Sequence, residues 1–210
     1  FALSQALLRQ PPPKGPRMAV VTNAGGPGIL ATDALVGLGL EVGELQERTQ
    51  QALRKVLPKE ASTHNPVDLI ASADAARYRA ALRAVVRDAT IDAFVVLFVS
   101  PIMIDAAAVA QAIVDETRDC RRPVLACVMG RQRGDEAQQI LAQAGIPVFR
   151  YPEDAATTLR LMLRRQRWLE RTPVNVPALK VGKAAAARVL ARYRRGGWLG
   201  ADRKSTRLNS

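Results

Sequence analysis

The chain has 210 residues, 48% of them apolar, enough for one packed domain of roughly 150 residues with extra segments rather than two full domains. Its formal charge of +12 sits at one end: residues 1–160 carry 18 Lys and Arg against 17 Asp and Glu, and residues 161–210 carry 13 against 2. A neutral folded part with few tail aromatics argues against a nucleic-acid-binding domain. Two cysteines, Cys120 and Cys127, give no disulfide framework, and no apolar run approaches the ~20 residues of a membrane helix.

In chain order, residues 1–9 read as the end of a helix, with Leu3, Ala6, Leu7 and Leu8 at helical spacing before Pro11-Pro12-Pro13 stops it. Residues 1–16 are therefore expected to be the end of a preceding domain and a stiff proline-rich linker. Phe1 begins without a charged-then-apolar leader, so a cytoplasmic fragment is expected. Strands are predicted at Met18–Asn23, Leu40–Leu45, Ala93–Val99, Pro123–Met129 and Pro147–Tyr151. Helices are predicted near Pro27–Leu38, Thr49–Val56, Asp74–Arg87, Asp105–Thr117, Glu136–Ala144 and Glu153–Leu169, with Gly39 and Gly145 at helix ends. Strict alternation, and a central run Ala93–Val99 apolar on both faces, predict an α/β fold: a flavodoxin-like, doubly wound, parallel five-stranded sheet over 17–170. Thr172–Pro177 reads as a linker and Val181–Arg194 as a basic helix, so 171–200 form a helical, basic C-terminal extension. Residues 201–210 continue no earlier pattern and read as a non-native tail.

The feature with most chemical content is Thr22-Asn23-Ala24-Gly25-Gly26-Pro27-Gly28, between an apolar strand and an amphipathic helix. A strand that turns through glycines into a helix started by proline leaves backbone N–H groups facing outward, where an anion can accept them. An ordinary packed turn fits the same residues equally well. The spacing is not that of the dinucleotide fingerprint, and no phosphate-binding G-x-x-x-x-G-K-[ST] loop occurs. Asn65-Pro66-Val67-Asp68 reads as a loop at the carboxyl edge of the sheet, where Asn65 or Asp68 can brace the glycine turn, or as a plain turn capped by Asp68. His64 is the only histidine; with no partner for a metal it reads as solvated. Ser100-Pro101 closes the buried strand, Asp105 reads as a helix cap, and Arg131 and Arg133 lie in a loop after Gly130.

These segments, with Val95–Asp105, Arg122–Ala126 and Ala144–Phe149, occur in an order that resembles the NDP-forming acyl-CoA synthetases of the succinyl-CoA synthetase superfamily, over about residues 10–170. The resemblance implies a modular ligase that interconverts acyl-CoA, phosphate and ADP with acid, CoA and ATP through a phosphorylated histidine. This chain resembles the second flavodoxin-like module, which offers a helix N-terminus to the phosphoryl group. Asn23, Gly25, Gly26 and Gly28 would then line the phosphate cradle, with Asn65 and Asp68 supporting it, and no catalytic or metal-binding residue here. The family's phosphorylated histidine precedes the glycine motif, so His64 does not match it. The module alone would bind no cofactor; the whole enzyme would use CoA, ATP or ADP, phosphate and Mg. The implied partners are a preceding His-bearing CoA-ligase domain and a following ATP-grasp domain or subunit, into which residues 171–200 would lead, in an oligomer without membrane or nucleic-acid contact. Arg131 stands where family members often have a second glycine. An alternative reading is a regulatory or scaffold module of a CoA-ligase-like protein lysine acetyltransferase. An independent flavin-binding protein is disfavoured by the 4% aromatic content.

Overall fold

The apolar run Ala93–Val99 is the middle strand of a five-stranded sheet in the computed structural model, which describes residues 2–100, 103–130, 134–172 and 182–192. The described elements are α1 (Ala2–Arg9), β1 (Met18–Thr22), α2 (Gly25–Gly37), α3 (Glu47–Val56), β2 (Val67–Asp68), α4 (Ala75–Val85), β3 (Ala93–Val99), α5 (Ala106–Thr117), β4 (Val124–Met129), α6 (Gly134–Gln143), β5 (Val148–Phe149), α7 (Pro152–Leu169) and α8 (Lys183–Arg192). Contacts divide the chain into two units, Phe1–Arg171 and Thr172–Ser210. The second holds α8, and the first holds every other described element.

All strand pairs are parallel, in the order β2-β1-β3-β4-β5, the flavodoxin-like order whose switch point lies between β1 and β3. Alternation along β3 supplies both layers of the core. Phe94, Val96 and Phe98 point into one layer with Leu53, Tyr78, Leu82, Ile113 and Leu141 from α3, α4, α5 and α6. Ala93, Val95 and Leu97 point into the other with Leu35, Leu159 and Met162 from α2 and α7. Two faces covered by helices explain why the run carries no polar residue. The helix ends fall where glycine was expected: Gly39 and Gly145 have φ of 75° and 80°, the left-handed region that favours glycine after a helix.

The second strand is not where the sequence placed it. Leu40–Leu45 makes one isolated bridge, Arg17 to Glu41, and β2 is Val67–Asp68 instead, paired with Val21 and Thr22. The physical reason is that the free edge of β1 is already filled. Val20 N donates to Asn65 Oδ1 at 2.9 Å and Asn65 Nδ2 donates to Met18 O at 2.8 Å, so one side chain takes the ladder positions ahead of β2. Leu40 and Leu45 are buried in different layers, so the segment between them wraps round the sheet edge.

Residues 2–10 pack within the same unit as the sheet. Ala6 is fully buried against the α7 layer. Gln10 ties the chain to the sheet, its Nε2 donating to Gly145 O at 2.8 Å and its Oε1 accepting from Val124 N at 2.9 Å.

Candidate functional site

The glycine segment forms a tight elbow from β1 into α2. Thr22 Oγ1 accepts from Ala24 N and donates to Ala24 O, both at 3.0 Å, which fixes the bend before the helix begins. Ala24 is the N-cap, in extended conformation, and offers no side-chain cap. Gly28 N donates to Ala24 O at 3.1 Å and Pro27 has no N–H. That leaves the Gly25 and Gly26 amides without an intrahelical acceptor. Both glycines are exposed, and the first turn of α2 holds no acidic residue. Such an end carries a partial positive charge and unused donors, the combination that receives an anion.

The three glycines differ in what surrounds them. A Cβ on Gly28 would lie 2.9 Å from Thr22 Cγ2, so this glycine lets the helix approach the strand. One on Gly25 would lie 3.2 Å from Asp68 Oδ2, whereas Gly26 has nothing within 4 Å. The mouth is therefore built by Gly25 and Gly26, and Gly28 holds its floor in place.

Asn23 is buried and its side chain faces inward. Its Nδ2 donates to Val99 O and its Oδ1 accepts from Val99 N, each at 2.9 Å, so it clamps the ends of β1 and β3 at the switch point. Tyr78 of α4 reinforces the same junction. Its hydroxyl donates to Leu97 O at 2.6 Å and its ring stands edge-on to Phe98. Burial raises the Tyr78 phenol well above its ordinary value, with Asp68 adding in the same direction and the Asn23 backbone N–H opposing. Nothing in the sequence pattern marks Tyr78, and within the glycine motif Thr22 carries no role of its own; the Thr22-Asn23-Ala24 step is the signal that a hydroxyl-capped turn would leave.

Asn65 lies at the start of β1 rather than at the mouth, its Nδ2 also donating to Gly43 O at 2.9 Å. It supports the elbow through the strand. Asp68 does reach the mouth. Its Oδ1 accepts from Ile70 N at 2.9 Å, a turn contact, while Oδ2 faces Gly25. Ile70 has φ of 60°, where a β-branched residue is strained.

Of the remaining candidates, His64 is exposed, with Nδ1 3.0 Å from Glu44 Oε2. Asp105 caps α5, accepting from Ala108 N at 3.0 Å. Ser100 Oγ is buried and has no hydrogen-bond partner among the described residues. Arg131, Arg133 and Pro101 lie outside the described residues, as do the tail aromatics Tyr193 and Trp198 and residues 201–210. Among the described residues, no group of three or more His, Cys, Asp or Glu is placed to hold a metal ion, and no helix is long and apolar enough to cross a membrane.

A family model described as Ligase-CoA domain matches residues 18–173, from the first residue of β1 to just past α7. The chain belongs to this Ligase-CoA domain family. The family match thus contains the whole sheet, the elbow and the Asn65–Asp68 segment. An ADP-forming acetate–CoA ligase II subunit alpha of Pyrococcus furiosus is 34% identical over a 162-residue alignment that covers 75% of this chain and 35% of that one. A crystal structure of a Pyrococcus horikoshii OT3 protein superposes with a TM-score of 0.77 at 32% identity, covering 81% of this chain and 40% of that one. A dinucleotide-forming acetyl-coenzyme A synthetase 1 of Ca. Korarchaeum cryptofilum, in complex with phosphate and ADP, superposes with a TM-score of 0.74 at 28% identity, covering 80% and 36%. The chain therefore spans little more than a third of the curated relative's length.

Proposed function

We propose that this chain is a module of an ADP-forming acyl-CoA ligase, and that the N-terminus of α2 steadies a phosphohistidine delivered by another module. The observation that supports this most directly is the uncapped, acid-free first turn with Gly25 and Gly26 exposed. Fixed amides stabilise a phosphoryl group with little reorganisation, and they do so without a nucleophile that would compete for it. The mouth lies on open surface, so it supplies one wall of a site whose other wall comes from elsewhere. In this reading Gly25 and Gly26 bind, Gly28 and Asn23 hold the elbow, and Asn65 and Asp68 support it from β1 and β2. A His-bearing CoA-ligase domain and an ATP-grasp domain or subunit complete a cytoplasmic, oligomeric enzyme, which supplies the CoA, ATP or ADP, phosphate and Mg sites. The domain limits proposed are 17–170 for the module, on which residues 2–10 pack as part of the same compact unit, and 171–200 for the connection to the nucleotide domain.

The test is Gly26→Val in the complete enzyme that contains this chain. A Cβ at Gly26 meets no atom, so the fold accepts the change while the mouth is narrowed. Labelling with ATP is expected to give little phosphoenzyme while CoA binding persists; full labelling would overturn the proposal.

A further inference from the structure

On the layer opposite α2, helices α3 and α4 lie side by side and leave a groove of about 420 Å³. Small side chains line it, Ala52 from α3 and Ala80 and Ala84 from α4, all half-buried. Its charge has one sign: Arg48, Arg83 and Arg87 line the groove and no acidic residue does.

That charge is only partly answered by neighbours. Glu116 grips Arg83 at two points, 3.1 and 2.7 Å. Arg48 Nε donates to the neutral amide oxygen of Gln46 at 2.9 Å, and neither Arg48 nor Arg87 has an ion pair among the described residues. The acids next to them in sequence are engaged elsewhere. Glu47 pairs with Arg54 at 2.9 Å, and Asp88 is buried, accepting from Gln46 N and from the Thr90 hydroxyl.

Guanidinium groups recognise phosphate oxygens through paired hydrogen bonds. A floor of methyl groups offers a planar ring close contact without stranding polar atoms. The volume falls in the range of small-molecule sites. We propose that this groove binds a nucleoside polyphosphate, with the base over Ala52, Ala80 and Ala84 and the phosphates held by Arg48 and Arg87. It is a second anion site, on the other side of the sheet from the α2 mouth, and does not rest on the function proposed for that mouth.

Calorimetric titration of the full 210-residue chain with ADP, pyrophosphate and adenosine tests it, using wild type, the Arg48→Gln/Arg87→Gln double variant and Gly26→Val. ADP is expected to bind more tightly than pyrophosphate or adenosine, and less tightly as salt is raised. The double variant is expected to lose about tenfold or more in affinity with an unchanged melting temperature, and Gly26→Val, which narrows only the α2 mouth, is expected to keep the ADP binding that the double variant loses. Failure of ADP to bind, binding that survives in the double variant, or binding lost in Gly26→Val would overturn the proposal. So would equal affinity for pyrophosphate, or a Glu-rich amphipathic peptide that binds through Arg48 and Arg87 where ADP does not.

Discussion

Gly28 and Thr22 meet across the elbow at a distance that leaves no room for a side chain: a Cβ on Gly28 would lie 2.9 Å from Thr22 Cγ2. Gly28→Ala is expected to destabilise the fold by about 1–3 kcal/mol, the usual cost of forcing a methyl into a packed site. Thr22→Ser removes that Cγ2 but keeps the hydroxyl that holds Ala24 at both N and O. Urea denaturation of both single variants and the pair should therefore show strong non-additivity, with the double variant recovering much of the loss. Additive losses would mean that the strain lies elsewhere.

Asp68 places a carboxylate oxygen beside Gly25, at the positive end of α2. That negative charge already interacts favourably with the helix by roughly 0.3–1 kcal/mol, and it repels an incoming anion. Asp68→Asn keeps an oxygen for the Ile70 amide while removing the charge. Phosphate titration should show tighter binding to this variant than to wild type, with the difference shrinking as salt is added. Weaker binding would show that the carboxylate itself organises the mouth.

The Cys127 thiol is fully buried, and burial, with Asp154 and Glu153 adding, pushes it up to about 12. The folded state therefore keeps the neutral thiol at pH values where the unfolded chain ionises it. This contribution to stability is complete below the ordinary thiol value of 9.0 and is lost as pH rises towards about 12. Tyr78 acts in the same direction above 10.0. Alkylation of the native chain at pH 8 should modify the half-buried Cys120 first and reach Cys127 only in denaturant. Equal rates at both cysteines would contradict the full burial of Cys127 in β4.

Much of this architecture is written in local pattern. An unbroken apolar run of seven residues, Ala93–Val99, can be satisfied only between two helical layers, and the elbow announces itself by glycine and proline between a strand and a helix. What misled was pairing, which is non-local. Leu40–Leu45 has the apolar content of a strand, but whether it joins the sheet depends on which group occupies the edge of β1. That group is the Asn65 side chain, 45 residues downstream of Val20, and no window of sequence displays it. The same limit applies to Asn23, whose type suits a phosphate cradle as well as the Val99 clamp it forms. Gly25, Gly26 and Gly28 look alike in sequence and separate into mouth and packing only through their neighbours in space.

Inorganic phosphate titration followed by amide resonances tests the central claim most directly. If the mouth of α2 receives a phosphoryl group, the Gly25 and Gly26 amide protons should move together and saturably, while the Gly28 amide, already bonded to Ala24 O, moves little. Gly25 and Gly26 resonances that stay fixed while phosphate saturates shifts elsewhere in the chain would contradict it.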